Sequence, residues 1–181
     1  AVLGWEWAHG TPAPWLLQYI QDKDLWNWAL PGSREINAAV ASYPFDFQRW
    51  NRFTQPELEQ EGRAILRYEQ ELVGKLAAQA VMVEFQGAVI PAVQSAILTS
   101  QIGERLSPDH PFCLIWHDRD SRRYFSMRSR EDGTDVGSIA ASFGGGGHTH
   151  AAGFSVPLNA DGSLPSNPDL PRPIIDRRLT P

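Results

Sequence analysis

Between Pro56 and about Ala80, apolar residues recur at helical spacing. Leu58, Ile65, Tyr68, Leu72, Leu76 and Ala80 fall seven, three or four apart with charged residues between them. Thr54 stands where an N-cap would, and Pro56 suits a first helical turn, so the pattern predicts one helix about 35 Å long, enough to bridge two domains. The period then shortens to that of strands. Val81–Phe85 and Ala88–Val93 flank a hairpin-like Gln86-Gly87, and a helix follows at about Leu98–Leu106. Two more strands, Phe112–His117 and Arg123–Met127, flank Asp118–Ser121. Asp135 is placed to cap a helix through Ile139 to Ser142, and a last strand is predicted near Phe154–Leu158. Upstream, residues 1–54 read as short helices interrupted at Gly10–Pro14 and Leu30–Ser33. Gly32 or Ser33 caps a helix from about Arg34 to Ser42, which Tyr43-Pro44 ends.

These elements predict an α/β protein: a helical N-terminal piece (1–54), a connecting helix (55–80) and a small mixed-sheet α/β domain (81–158). Six of the 14 prolines lie from Pro157 onward, so 159–181 is expected to be an unpacked tail. No internal repeat is visible.

Composition narrows the class. With 181 residues, 42% of them hydrophobic and 20% charged, the chain can bury a real core. The net charge of −5 argues against broad coating of nucleic acid, while leaving room for a local basic patch. Cys113, the single cysteine, excludes an internal disulfide framework and an all-cysteine zinc site, and its apolar strand implies a buried, inert thiol. No apolar run is long enough for a membrane span, so a cytoplasmic protein that does not engage membranes is expected. The chain opens at Ala1, without Met, and six of its seven tryptophans lie in the first 50 residues. The expectation drawn from this is a chain that starts inside a fold, leaving Trp5, Trp7 and Trp15 exposed and able to drive self-association or a homodimer.

Three segments offer chemistry. Phe143 is followed by four glycines (Gly144–Gly147), His148, and then Ala151-Ala152-Gly153-Phe154. Such a run lets backbone N–H groups approach a phosphate, with His148 able to donate to it or stack on a base; the competing reading is a flexible loop before a close-packed turn. His117–Arg130 holds five arginines and two aspartates, a local +3. Arg128, just after a strand, could be held rigidly for bidentate phosphate contact, whereas the others read as a solvated strand edge. Asp22 and Asp24 could give oxygen ligands to Mn²⁺ or Mg²⁺, or be helix-end charge beside a buried Trp26. His9, His110 and His117 stand alone.

Gly144–Phe154, with Ser126-Met127-Arg128-Ser129 and Asp135–Ala140 upstream, resembles the DHH-associated C-terminal domain of DHH-family phosphoesterases. Tyr19–Trp26, Leu30–Ile36 and the helix containing Gly62 resemble the later part of a two-domain member, so the likeness spans about 1–158. It implies a hydrolase in which a two-metal centre, usually Mn²⁺, cleaves phosphodiester or phosphoanhydride bonds while the C-terminal domain holds the nucleotide end of the substrate. Carried over by position, Asp22, in preference to Asp24, resembles the last metal-binding aspartate. Arg128, Gly145, Gly146, Gly147 and His148 resemble substrate contacts.

The departures are informative. There is no Asp-His-His (Asp109-His110-Pro111 is a different context), the earlier metal-binding aspartates are absent, and Val93-Gln94-Ser95 lacks the family's Asn. The expected protein is therefore the substrate-binding part of a metal-dependent phosphoesterase acting on short oligonucleotides or small nucleotides. It is expected to be inactive alone and to need a DHH domain in cis or trans. The alternatives are a stand-alone RNA- or tRNA-binding module, like the related domain of alanyl-tRNA synthetases, and a structural or dimerisation domain.

Overall fold

The computed structural model describes residues 1–174. The aromatic start of the chain forms α1 (Val2–His9), which stops at Gly10, whose positive φ of 63° lets its amide reach the Glu6 carbonyl. Next come α2 (Trp15–Asp24), α3 (Ser33–Ala41), the single turn α4 (Phe47–Trp50) and the long α5 (Gln55–Ala77). Between the two candidate caps of α3, the structure takes Gly32 at φ 70°, with Ser33 already helical. Leu16 and Tyr19 of α2, Ile36, Ala39 and Val40 of α3, and Leu58 of α5 form one core. The Asn37 amide fixes α3 by donating to the Tyr19 carbonyl at 2.9 Å. A Cβ at Gly62 would lie 1.8 Å from the Glu35 carbonyl oxygen, so this close helix approach requires glycine. Trp15 departs from the expected exposure: it packs on this core, edge-on to Tyr19. Trp5 is half-buried against His9, and only Trp7 of the three is fully open, at 90% exposure.

The boundary between two compact units, Ala1–Glu71 and Leu72 onward, falls inside α5. That explains one miss in the apolar stripe. Leu58 and Ile65 serve the first core, Val73 and Leu76 a core of the second unit, and Tyr68 between them is exposed.

The second unit is built on a seven-stranded mixed sheet, order β5-β6-β4-β3-β2-β1-β7. Its strands are β1 (Val81–Phe85), β2 (Ala88–Gln94), β3 (Cys113–Arg119), β4 (Arg122–Arg128), β5 (Gly146–His148), β6 (Ala151–Pro157) and β7 (Arg172–Pro173). β2 and β3 run parallel, joined through α6 (Thr99–Leu106); the other pairs are antiparallel. Because residues alternate sides and directly opposed residues share one, the registers define two faces. The first carries Leu114, Phe125, Met127 and Phe154 and packs on α7 (Val136–Ser142) through Val136 and Ala140. The second carries Val93, Cys113 and Ile115 under α6 and the end of α5, then continues across β4, β6 and β5 as Ser126, Arg128, Gly153, Ala151 and His148.

Two expectations are corrected. Half of the glycine run is strand: Gly146–His148 adds an edge to β6, and β6 itself begins at Ala151, three residues early. The proline-rich segment is not an unpacked tail over its described length, since Leu170 is 3% exposed in the first-face core and Arg172–Pro173 pairs with Glu84 and Val83 of β1. Residues 175–181 lie outside the described part. No described helix is long and apolar enough to cross a membrane.

Candidate functional site

The four glycines of the run are not equivalent. Gly144 (φ 73°) and Gly145 close α7 in a Schellman turn, their amides reaching the carbonyls of Ala141 and Ala140 at 3.0 and 2.9 Å. A Cβ at Gly145 would sit 2.2 Å from the Gly153 carbonyl, and at Gly147 (φ 143°) 2.5 Å from Ala152 Cα, so both are imposed by close approach to β6. Gly146 is different. Its φ is ordinary and nothing lies within 4 Å of its would-be side chain, which would project from the open second face. The packing explanation thus covers three of the four glycines and leaves Gly146.

On the same face, Arg128 opposes Ala151, and Ala151 opposes His148. Arg128 and His148 therefore share one row at one end of the sheet, two strand spacings or about 10 Å apart. The Arg128 stem lies against α6 at Gly103, where a Cβ would come within 2.3 Å of Arg128 Cγ. Its guanidinium donates to the Met127 carbonyl at 2.8 Å and to Ser100 Oγ at 3.2 Å. Two of five donors are thereby used. Among the described residues no carboxylate pairs with it, and burial lowers its pKa from the ordinary value. A half-buried cation lacking a counter-charge is stabilised by an anion that brings one.

Neighbours fix this row. Ser129, next after Arg128, bonds through its amide to the His150 carbonyl at 3.1 Å, and its hydroxyl donates to the Thr134 carbonyl at 2.7 Å. Its one proton being used there, the 3.0 Å contact with His150 Nδ1 requires that nitrogen to donate, which sets the tautomer. Asp135 caps α7 by accepting from the Ser138 amide and hydroxyl, and the Val136 amide bonds the Thr149 carbonyl, tying the helix to the β5–β6 turn. The bonding of Asp135 to Ser138 also lowers its pKa. Ser129 and His150 escaped the sequence reading; only their position beside Arg128 and His148 could have flagged them.

Asp22 and Asp24 belong to the other unit. Asp22 is buried, its two oxygens accepting the Ala29 and Leu30 amides at 3.0 and 3.2 Å, and a bond from Ser33 is the main reason its carboxyl titrates below the ordinary value. That donor set closes the loop holding Trp26 and Trp28, both at positive φ. Trp26 is 43% exposed and packs edge-on to Trp28 rather than into a core. Asp24 is exposed. Among the described residues no three His, Cys, Asp or Glu side chains stand close enough to share a metal, so the residues present do not by themselves fit a Mn²⁺ or Mg²⁺ centre. Ser95, where the resemblance calls for Asn nearby, makes a local turn, its hydroxyl donating to the Ile97 carbonyl at 2.7 Å. Cys113 is buried with its thiol pushed up to about 12 by desolvation, as an inert thiol should be.

No family model matches the chain. The uncharacterized protein R106 of Acanthamoeba polyphaga mimivirus is 28% identical over 165 aligned positions, covering 83% of this chain and 39% of that protein. The chain thus spans well under half the length of that relative. Among solved structures, it is similar to the pGpG-specific phosphodiesterase PggH from Vibrio cholerae, with a TM-score of 0.46 and 13% identity over 86% of this chain and 67% of that one. An uncharacterized protein from Helicobacter pylori G27 aligns with a TM-score of 0.34 and 19% identity, over 59% of this chain and 28% of that one.

Proposed function

We propose that the second unit is the substrate-holding part of a phosphoesterase, binding a phosphate of a short oligonucleotide or small nucleotide between Arg128 and His148, over Gly145–Gly147. The observation that carries this reading is the row Arg128–Ala151–His148: a half-buried guanidinium without a carboxylate partner among the described residues and an exposed imidazole on one face, beside a glycine that packing does not require. Arg128 supplies charge and a rigid donor pair, held by Gly103 and Ser100. His148 supplies one further donor, and Gly146 leaves room for the phosphate oxygens to approach the backbone.

Hydrolysis needs an activated water, which two metal ions supply in the family that the sequence resembles. On this reading Asp22 is at most one ligand among several, and Mn²⁺ or Mg²⁺ is held with groups from a DHH domain, in the same longer chain or another polypeptide. The chain alone then binds nucleotide weakly and turns over nothing with Mn²⁺.

The test is equilibrium binding of a 5′-phosphorylated dinucleotide at low salt to the unaltered chain and to His148→Ala and Arg128→Gln. Losing a charge-assisted contact should weaken binding about tenfold in either variant. Unchanged binding in both would return the glycine run to a purely structural role.

A further inference from the structure

The phosphate row is one end of a longer surface. Followed along β4 toward the β3–β4 turn, the second face passes over a floor of small residues, Ser126 and Gly153, and reaches His117 directly opposite Tyr124. Their rings stack with centroids 5.4 Å apart and planes 11° from parallel, and the Arg119 guanidinium lies 4.9 Å from the Tyr124 ring. One pair further on is Arg122, clamped by Ser155: Nε donates to the hydroxyl at 3.1 Å and Nη2 to the carbonyl at 3.0 Å.

We propose that His117, Tyr124 and Arg122 form a second subsite, which takes the base and phosphate of a later nucleotide when a short single-stranded oligonucleotide is held at Arg128 and His148. The proposal rests on the phosphate reading above for its first contact and adds what determines substrate length.

Charge favours this occupant. On the second face, none of the strand residues of β3, β4, β5 or β6 is a carboxylate. The hairpin's strand aspartate, Asp118, points to the first face, where it accepts two bonds from Arg123 at 2.7 and 2.8 Å; Asp120, in the turn, faces Arg119 at 3.5 Å. Arg123 in turn lies over Trp116 on that first face. The hairpin therefore neutralises one side and leaves the other net cationic, Arg119 and Arg122 against Asp120 alone, with a stacked aromatic pair beside them. Alternating π surface and positive charge is what an unpaired strand of bases and phosphates engages.

A structural account of the pair is weak. Neither ring belongs to a core cluster, and β3 and β4 are interior strands with no free edge to protect. Spacing makes the subsite selective: Tyr124 lies four residues from Arg128 along β4, about 13 Å, and Arg122 about 20 Å. A single nucleotide anchored at Arg128 does not reach them.

The experiment compares 5′-AMP with 5′-phosphorylated tetraadenylate, at low salt, on the unaltered chain, Tyr124→Ala, Tyr124→Phe and His148→Ala. Loss of the stack should weaken the tetranucleotide about tenfold in Tyr124→Ala and leave AMP unchanged, with Tyr124→Phe restoring the tetranucleotide. Equal weakening of both ligands, or of neither, in Tyr124→Ala overturns the subsite. If His148→Ala still loses AMP in that case, the phosphate reading survives alone; if neither ligand depends on His148, both readings fall. Should Tyr124→Ala fail to fold, Arg122→Gln replaces it, with selective weakening of the tetranucleotide expected and an equal effect on AMP overturning the subsite.

Discussion

Gly146 separates packing from function within a run of four identical residues. Alanine at Gly147 must adopt a φ of 143° and drive its Cβ to 2.5 Å from Ala152 Cα, which should destabilise the fold by about 1–3 kcal/mol. Alanine at Gly146 meets nothing, so its melting temperature should match that of the unaltered chain while its affinity for a phosphorylated dinucleotide falls. Thermal melts paired with binding isotherms check this, and a Gly146→Ala protein that binds normally would remove that glycine from the site. Cys113 gives a second test, one of pH. Its thiol is raised to about 12 in the fold, so the folded state keeps a proton that the unfolded chain loses near the ordinary value. The stabilisation is complete below that ordinary value, and is lost as the pH climbs toward the folded one, by about 1.4 kcal/mol per unit. Urea unfolding at about pH 8 and about pH 10 should show the unaltered chain losing stability relative to Cys113→Val; parallel behaviour would mean that the thiol is not shielded. The sequence could place Cys113 in the core from its apolar neighbours, but it could not sort the glycines, because what excludes a Cβ at Gly145 and Gly147 is a strand met only after the chain turns back.

At the level of elements, periodicity was informative wherever one face is buried. α5, the β1–β2 hairpin at Gln86-Gly87, α7 under its Asp135 cap, and the β3–β4 pair follow the pattern within a few residues. It was silent on β5 and β7. Gly146–His148 has no side-chain alternation to read, and its strand character comes entirely from hydrogen bonding to β6. Arg172–Pro173 is an edge strand too short to carry a pattern, beside prolines that signal turns. The unpacked-tail expectation failed for the same reason: Leu170 is buried and Leu164 packs on the same core, but two leucines spaced among prolines show no period. Leu170→Ala should therefore cost about 2–5 kcal/mol, a core penalty from a segment that composition reads as loose. A drop of less than about 0.5 kcal/mol in urea unfolding, the size of an ordinary surface change, would show that this segment does not stabilise the sheet.

Taken as a whole, the molecule is acidic, yet among the described residues neither Arg122 nor Arg128 on the second face is paired with a carboxylate, so the charge that matters for binding is local. The sequence showed this as a +3 stretch in a chain of net −5, but not its sidedness, which depends on β4 sending Arg122 and Arg128 to one face and Arg123 to the other. Few cations on one face means few phosphates neutralised, and each neutralised phosphate of a single strand contributes about −0.7 to the slope of log affinity against log salt. A dinucleotide held by Arg128 alone should give a slope of about −0.7. A tetranucleotide that also reaches Arg122 should give about −1.4. Beyond that length the slope should stop growing, because Arg119, the next cation on this face, already faces Asp120 at 3.5 Å. Titrating oligoadenylates of increasing length between about 50 and 200 mM salt decides the matter. A slope that keeps steepening with length, together with tighter binding of long RNA, would describe a module that coats nucleic acid, and the short-substrate phosphoesterase reading would give way to it.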